Sequence, residues 1–129
     1  MLLGSIMKRL TLLLLGMISL STYQTNAHTR LTAAMPADSA ISSTSPEEIM
    51  LKFSTKVRLL SVQLRDADGT VIKLGLIPEK TQMEFSLPIL VELTPGEYLA
   101  TWRAVGADMH AVSGDLSFTV ASRETAVSH

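Results

Sequence analysis

The sequence has no cysteine in its 129 residues, which excludes disulfide bonds, thiolate metal ligands and thiol nucleophiles. An exported domain of this composition must be held together by its hydrophobic core alone. Aromatic residues are also scarce, at one Trp, two Tyr and three Phe, so there is little from which to build a flat, aromatic sugar-binding face. Histidine occurs only three times. Any histidine-based chemistry is therefore confined to very few positions.

The first 27 residues have the pattern of a secretory signal peptide. Two basic residues precede an apolar run from Leu10 to Leu20, and a short polar stretch ends at Ala27. The run has about half of the roughly 20 residues that a membrane-spanning helix needs, so a retained anchor is the less favoured alternative. We therefore predict cleavage after Ala27, a single domain over residues 28–121 and a loose tail over residues 122–129. We expect no membrane insertion of the mature chain.

The charge balance and the motifs narrow the possible functions. After cleavage, nine basic and twelve acidic residues remain, a formal charge of −3. That balance does not favour nucleic acid or an anionic membrane as a partner. A Ser-His-Asp arrangement and a glycine-rich phosphate loop are both absent from the sequence, so hydrolytic catalysis has no support. We predict a monomeric protein that is not an enzyme.

Short alternating segments separated by turn signals indicate an all-β fold. Seven such segments in about a hundred residues favour an antiparallel β-sandwich of the immunoglobulin-like kind. Trp102 lies in mid-strand among alternating apolar residues, so we place it in the core. Met35, Met50 and Met83 lie in separate strands, and we expect them to fill the core rather than form a cluster. The predicted strands are residues 31–35, 48–54, 62–66, 70–74, 81–87, 97–105 and 115–120.

Two places in the sequence carry the nitrogen ligands of a possible metal site. Cleavage after Ala27 would leave His28 as the first residue, able to chelate a metal through its α-amine and its imidazole. Asp108 and His110 are two residues apart, so in an extended segment both would project from the same face. Amine, imidazole and carboxylate ligands favour copper(II), with zinc as the competing metal. The alternative is that the two histidines are unrelated.

The mature sequence resembles the CopC family of periplasmic copper-binding and copper-resistance proteins. The likeness runs from His28 to Val120 and rests on several short motifs in the family's order. Besides the post-cleavage histidine, Leu31 and Pro36, these are Pro46 with Ile49–Ser54 (IMLKFS), Leu93–Tyr98 (LTPGEY), Trp102–His110 (WRAVGADMH), and Gly114 with Phe118.

The resemblance implies a seven-stranded Greek-key β-sandwich or barrel with one copper(II) ion bound by His28, Asp108 and His110. It also implies a periplasmic protein that carries or buffers copper, with a CopD-type inner-membrane protein as a partner. Two-site members carry a methionine-rich loop for copper(I), whereas residues 74–83 here contain only Met83. We therefore expect one copper(II) site and no copper(I) site. A carboxylate that some members have after the "F-S" motif is replaced here by Thr55.

Two other functions remain open from the sequence. An N-terminal histidine paired with a second histidine also resembles the histidine brace of copper-dependent polysaccharide monooxygenases. Those enzymes are usually larger and carry a flat aromatic face. The remaining alternative is an exported β-sandwich adaptor whose histidines bind no metal.

Overall fold

The computed structural model describes residues 28–122, so the predicted signal peptide and all of the predicted tail except Ser122 lie outside the described residues. The described part consists of seven β-strands joined by turns and loops, and it contains no helix that could span a membrane. The predicted seven-stranded all-β fold is confirmed. The strands are β1 (Leu31–Met35), β2 (Ala40–Ser42), β3 (Glu48–Asp66), β4 (Val71–Ile72), β5 (Gln82–Pro88), β6 (Gly96–Gly106) and β7 (Ala111–Val120).

The 19-residue strand β3 organises the sheet. The sequence predicted separate strands over residues 48–54 and 62–66, but the structure joins them into one. Register shifts between Lys52 and Val57, and again between Leu59 and Ser61, mark irregularities along it. Such β-bulges bend and twist a strand, which allows one strand to serve both halves of a curled sheet.

The partners of β3 change from its first half to its second. Its first half pairs with β1 on one edge and with β5 on the other, because Leu51 is opposite both Ala34 and Phe85. Val57 is opposite both Gln82 of β5 and Gly106 of β6. Since β5 keeps one edge of β3, strands β1 and β6 must share the other edge. The start of β1 therefore faces the end of β6 along that edge.

The remaining strands complete the antiparallel sheet with one exception. Strand β6 pairs with β7 over its whole length, from Gly96 opposite Val120 to Val105 opposite Ala111. Strand β4 pairs with the end of β3. The three-residue strand β2 pairs with β7 in parallel, an addition that the sequence did not predict. The sheet order is β1-β3-β6-β7-β2, with β4 and β5 on the far edge of β3.

The curled sheet encloses an apolar core. Phe53 lies at its centre, with its ring 6.0 Å from that of Phe85 and 5.1 Å from that of Trp102, both in edge-to-face geometry. This arrangement is favoured by the ring quadrupoles and adds to the free energy of burial. Trp102 is only 7% exposed, so its predicted place in the core is confirmed. Gly114 lies against this indole, where an added Cβ would stand 2.7 Å from a ring carbon.

The predicted core position of the three strand methionines is wrong. Met35 is 60% exposed and Met83 is 41% exposed, while Met50 is half-buried. Ala34, next to Met35 in β1, packs against the core instead. The register shift between Leu31 and Ala33 explains the exposure of Met35. It reverses the alternation of side chains in β1, so the side chain of Met35 points outward, opposite Met50.

Candidate metal centre

The segment before β1 is held against β3 by three hydrogen bonds. The Ser54 amide donates to the Arg30 carbonyl at 2.9 Å, and the Arg30 amide donates to Ser54 Oγ at 3.1 Å. The hydroxyls of Thr29 and Thr55 are 3.0 Å apart. These contacts continue the β1 pairing by two residues toward the chain start. They fix the position of Thr29, the residue that follows His28.

Asp108 and His110 lie in the four-residue hairpin that joins β6 to β7. The Met109 amide donates to the Gly106 carbonyl at 3.0 Å, and the Gly106 amide donates to the His110 carbonyl at 3.3 Å. Met109 has a positive φ of 65°, so the chain turns at this residue. We expected Asp108 to His110 to be extended, and this expectation was wrong. The side chains of Asp108 and His110 lie in a turn and not on one face of a strand.

Within this turn the two predicted ligand residues contact each other. Asp108 Oδ1 accepts a hydrogen bond from the His110 amide at 3.1 Å, which makes an Asx-turn. Asp108 Oδ2 is 3.1 Å from His110 Nδ1. The side-chain hydrogen bond to His110, followed by the backbone one, lowers the pKa of Asp108 below its ordinary value. The carboxylate is therefore ionised at neutral pH, in contact with one ring nitrogen of His110.

The N-terminal segment and the hairpin meet at Gly106. An added Cβ on this glycine would stand 2.7 Å from Thr29 Oγ1 and 3.1 Å from Asp108 Oδ1. Both oxygens thus lie close to the position that a side chain of Gly106 would occupy, at the end of β6. The absence of a side chain at Gly106 allows the segment and the hairpin to approach this closely. Neither Thr29 nor Gly106 was predicted from the sequence to be part of the site, and Thr55 was noted only as the replacement of a carboxylate, because only the pairing of distant strands brings these residues together.

The structure brings two of the three predicted ligands, Asp108 and His110, into contact. His28 is exposed and adjoins Thr29, but within residues 28–122 no group of three or more His, Cys, Asp or Glu side chains lies close enough to hold a metal ion. Because Ala27 precedes His28 in this chain, the His28 nitrogen is part of a peptide bond and not an amine. The ligand set of His28, Asp108 and His110 stays a prediction.

Comparisons with known proteins agree on one family. The CopC domain family matches residues 31–121. Copper resistance protein C from Escherichia coli is 28% identical over 119 residues, which covers 81% of this chain and 90% of that protein. The crystal structure of CopC from Methylosinus trichosporium OB3b matches at 25% identity with a TM-score of 0.65, covering 74% of this chain and 96% of that one.

A second solved structure is similar. PcoC, a methionine-rich copper resistance protein from Escherichia coli, matches at 25% identity with a TM-score of 0.61, covering 73% of this chain and 99% of that one. The chain belongs to the CopC family, and the resemblance seen in the sequence is confirmed.

Proposed function

We propose that the mature protein binds one copper(II) ion at a site formed by His28, Asp108 and His110, and that it carries or buffers copper in the periplasm. Its relatives are copper resistance proteins, which supports copper as the cargo. Removal of residues 1–27 would convert the amide nitrogen of His28 into a free amine. Copper(II) forms stable tetragonal complexes with such nitrogen ligands, and it binds more tightly than the other divalent first-row metals.

The convergence of Thr29 and Asp108 at Gly106 is the observation that carries this proposal. Strands β1 and β6 share one edge of β3, and the start of one faces the end of the other. One backbone step separates His28 from Thr29, which supports the proposal that the His28 nitrogens reach the hairpin. A single residue spans about 3.3 Å in an extended chain, which is within the reach of an imidazole side chain.

The contact between Asp108 and His110 supports a definite role for each. A ligating histidine commonly donates its second ring N–H to a carboxylate, which fixes the tautomer and the ring orientation. With Nδ1 turned to Asp108 at 3.1 Å, the Nε2 atom of His110 is the one available to the metal. In this proposal Asp108 acts from behind the ring, and its negative charge offsets part of the charge of the bound cation.

A single copper(II) site, without a methionine-rich copper(I) site, fits the placement of the methionines. Met83 is the only methionine in residues 74–83. Met35 and Met50 lie opposite each other on β1 and β3, away from the β6–β7 hairpin.

A non-catalytic role fits the positions of the aromatic residues. All five aromatic side chains of the described residues are buried in the core, and none of these five is left to form a sugar-binding face. The proposed recipient of the copper is a CopD-type inner-membrane protein.

The test is a copper(II) titration of the exported protein against a competing chelator, after mass spectrometry has established its first residue. We expect a chain that starts at His28 and takes up one tightly held ion. His110→Ala should abolish tight binding, whereas His129→Ala, which removes the one histidine outside the proposed site, should leave it unchanged. Weak binding that is insensitive to His110→Ala would contradict the proposal.

A further inference from the structure

One exposed face of the sheet carries a group of basic side chains beside the candidate metal centre. We call it the basic face, and it consists of Arg30, Lys56, Arg58 and Arg103. All four side chains are exposed, and none forms an ion pair with any residue in the range 28–122. The single ion pair of that range joins Asp108 and His110. These four cations are therefore free to interact with another molecule.

The strand register places these residues on one side of the sheet. Val57, Leu59 and Ala104 point into the core, so their neighbours Arg58 and Arg103 occupy the outward face. Lys56 lies two residues before Arg58 on that face of β3. Arg103 is opposite Ser61 on β3 and Ser113 on β7, and these residues line a shallow depression of about 360 Å³. Asp115 also lines this depression, so one carboxylate lies at its rim.

The basic face adjoins the hairpin that carries Asp108 and His110. Arg58 is opposite Val105, which is opposite Ala111, the residue after His110. Arg58 and Ala111, which lies at the base of the hairpin, are therefore separated by two interstrand spacings of about 4.8 Å each. Arg30 belongs to the segment that positions Thr29 and His28. A molecule bound to this face would lie next to the proposed copper site.

The opposite end of the molecule has the opposite charge. Segments 42–49, 89–97 and 118–122 meet there and contain no lysine or arginine. Strand β6 runs the length of the domain between the two ends, about 35 Å for its 11 residues. That separation exceeds several Debye lengths at physiological salt, so the two ends act as independent charges. The acidic end carries Glu47, Glu48, Glu92 and Glu97.

We propose that the basic face is the docking surface for the copper acceptor, and that the acceptor is a protein with clustered carboxylates beside its own metal-receiving site. This inference rests on the proposed function for the identity of the cargo. Charge complementarity steers the encounter of two proteins and fixes their orientation. It would present the hairpin to the acceptor, while the acidic end repels it. Orientation of this kind shortens the search that precedes ligand exchange.

The test compares copper(II) transfer to two synthetic acceptor peptides. Both carry a Gly-Gly-His copper-binding head, followed by four glutamates in one peptide and four glutamines in the other. We expect the glutamate peptide to take copper about tenfold faster at low salt, a typical steering effect. The advantage should disappear toward about 1 M salt, where the Debye length falls to about 3 Å. Equal rates for the two peptides at low salt would overturn the proposal.

Two charge variants locate the effect. Changing Lys56, Arg58 and Arg103 of the basic face to glutamine should remove the advantage of the glutamate peptide. The matched control changes three basic residues outside the face, Arg65, Lys73 and Lys80, and should retain it. An equal loss in both variants would show that net charge alone is responsible, which would overturn the assignment to this face.

A measurement without copper separates this inference from the proposed function. The metal-free protein is titrated with a glutamate-rich peptide that lacks the metal-binding head, and amide chemical shifts are followed by NMR. Shifts clustered around Arg58 and Arg103 support the docking surface, even if the protein binds no copper. An absence of shifts, or shifts elsewhere, contradicts it. Sedimentation with phosphatidylglycerol vesicles that depends on the same residues, without any response to the peptide, would overturn it in favour of a membrane surface.

Discussion

Gly106→Ala tests the junction on which the proposed site depends. The new methyl group would stand 2.7 Å from Thr29 Oγ1, closer than such atoms can approach, and 3.1 Å from Asp108 Oδ1, a tight contact that a small shift of the carboxylate would relieve. Gly106 does not have a positive φ, so alanine adds no backbone strain. The variant must therefore displace the Thr29 hydroxyl and break its hydrogen bond with Thr55.

The expected magnitudes follow mainly from the displacement of Thr29, the closer of the two contacts. Loss of one hydrogen bond costs about 0.5–1.5 kcal/mol, and a domain of this size loses roughly 4–8 °C in Tm for each kcal/mol. Releasing the backbone of one anchored residue costs a further 1–2 kcal/mol when the metal must order it again. Copper(II) affinity should therefore fall about 5- to 30-fold. Thermal unfolding and a chelator competition measure the two effects separately.

A double variant provides the control. Thr29→Ala removes the closer of the two oxygens that the new methyl group would meet, so Gly106→Ala should destabilise the Thr29→Ala protein less than it destabilises the wild type. Non-additivity of this kind is expected for residues in direct contact. If Gly106→Ala lowers Tm but leaves the copper affinity within about twofold of the wild type, the N-terminal segment does not contribute to the site.

Three further predictions follow from the same structure. Copper(II) affinity should weaken as the pH is lowered below neutral, because protons compete with the metal for the nitrogen ligands, while Asp108, whose pKa is lowered by His110, stays ionised. An affinity independent of pH would argue against these ligands. Asp108→Asn should weaken copper binding about 10- to 100-fold, because it releases the His110 ring. The temperature of thermal unfolding should change little, since both side chains are exposed. An unchanged copper affinity would show that Asp108 is not part of the site. Phe53→Ala should cost about 3–5 kcal/mol in the free energy of unfolding, measured by chemical denaturation, because Phe53 is fully buried between two other aromatic rings; a loss below about 1 kcal/mol would refute its central place in the core.

The fold could be predicted from the sequence wherever side chains alternate regularly. Strands β5, β6 and β7 show that alternation, and the structure confirms them within a few residues. The continuity of β3 could not be predicted, because the irregularity between Leu59 and Ser61 shifts the phase of the alternation in mid-strand. Strand β2 has only three residues, too few for a periodic pattern. The outward position of Met35 depends on a similar shift in β1.

Only part of the candidate site could be predicted from the sequence. The contact between Asp108 and His110 is local, and a spacing of two residues was enough to suggest it. The approach of Thr29 to Gly106 joins residues 77 positions apart and depends on β1 and β6 sharing one edge of β3. That geometry is a property of the strand order, and no local pattern encodes it. The family resemblance suggested the full ligand set. The fold brings Thr29, the residue that follows His28, to the base of the hairpin.

The central claim is that the α-amine of His28 is a copper ligand, and one comparison tests it most directly. Two forms of the protein are titrated with copper(II) under identical conditions, one starting at His28 and one with Ala27 still attached. They share every side chain of the proposed site and differ only in whether the His28 nitrogen is an amine or an amide. We predict that the longer form binds copper at least about a hundredfold more weakly, a difference of about 2.8 kcal/mol. Equal affinities would contradict the account.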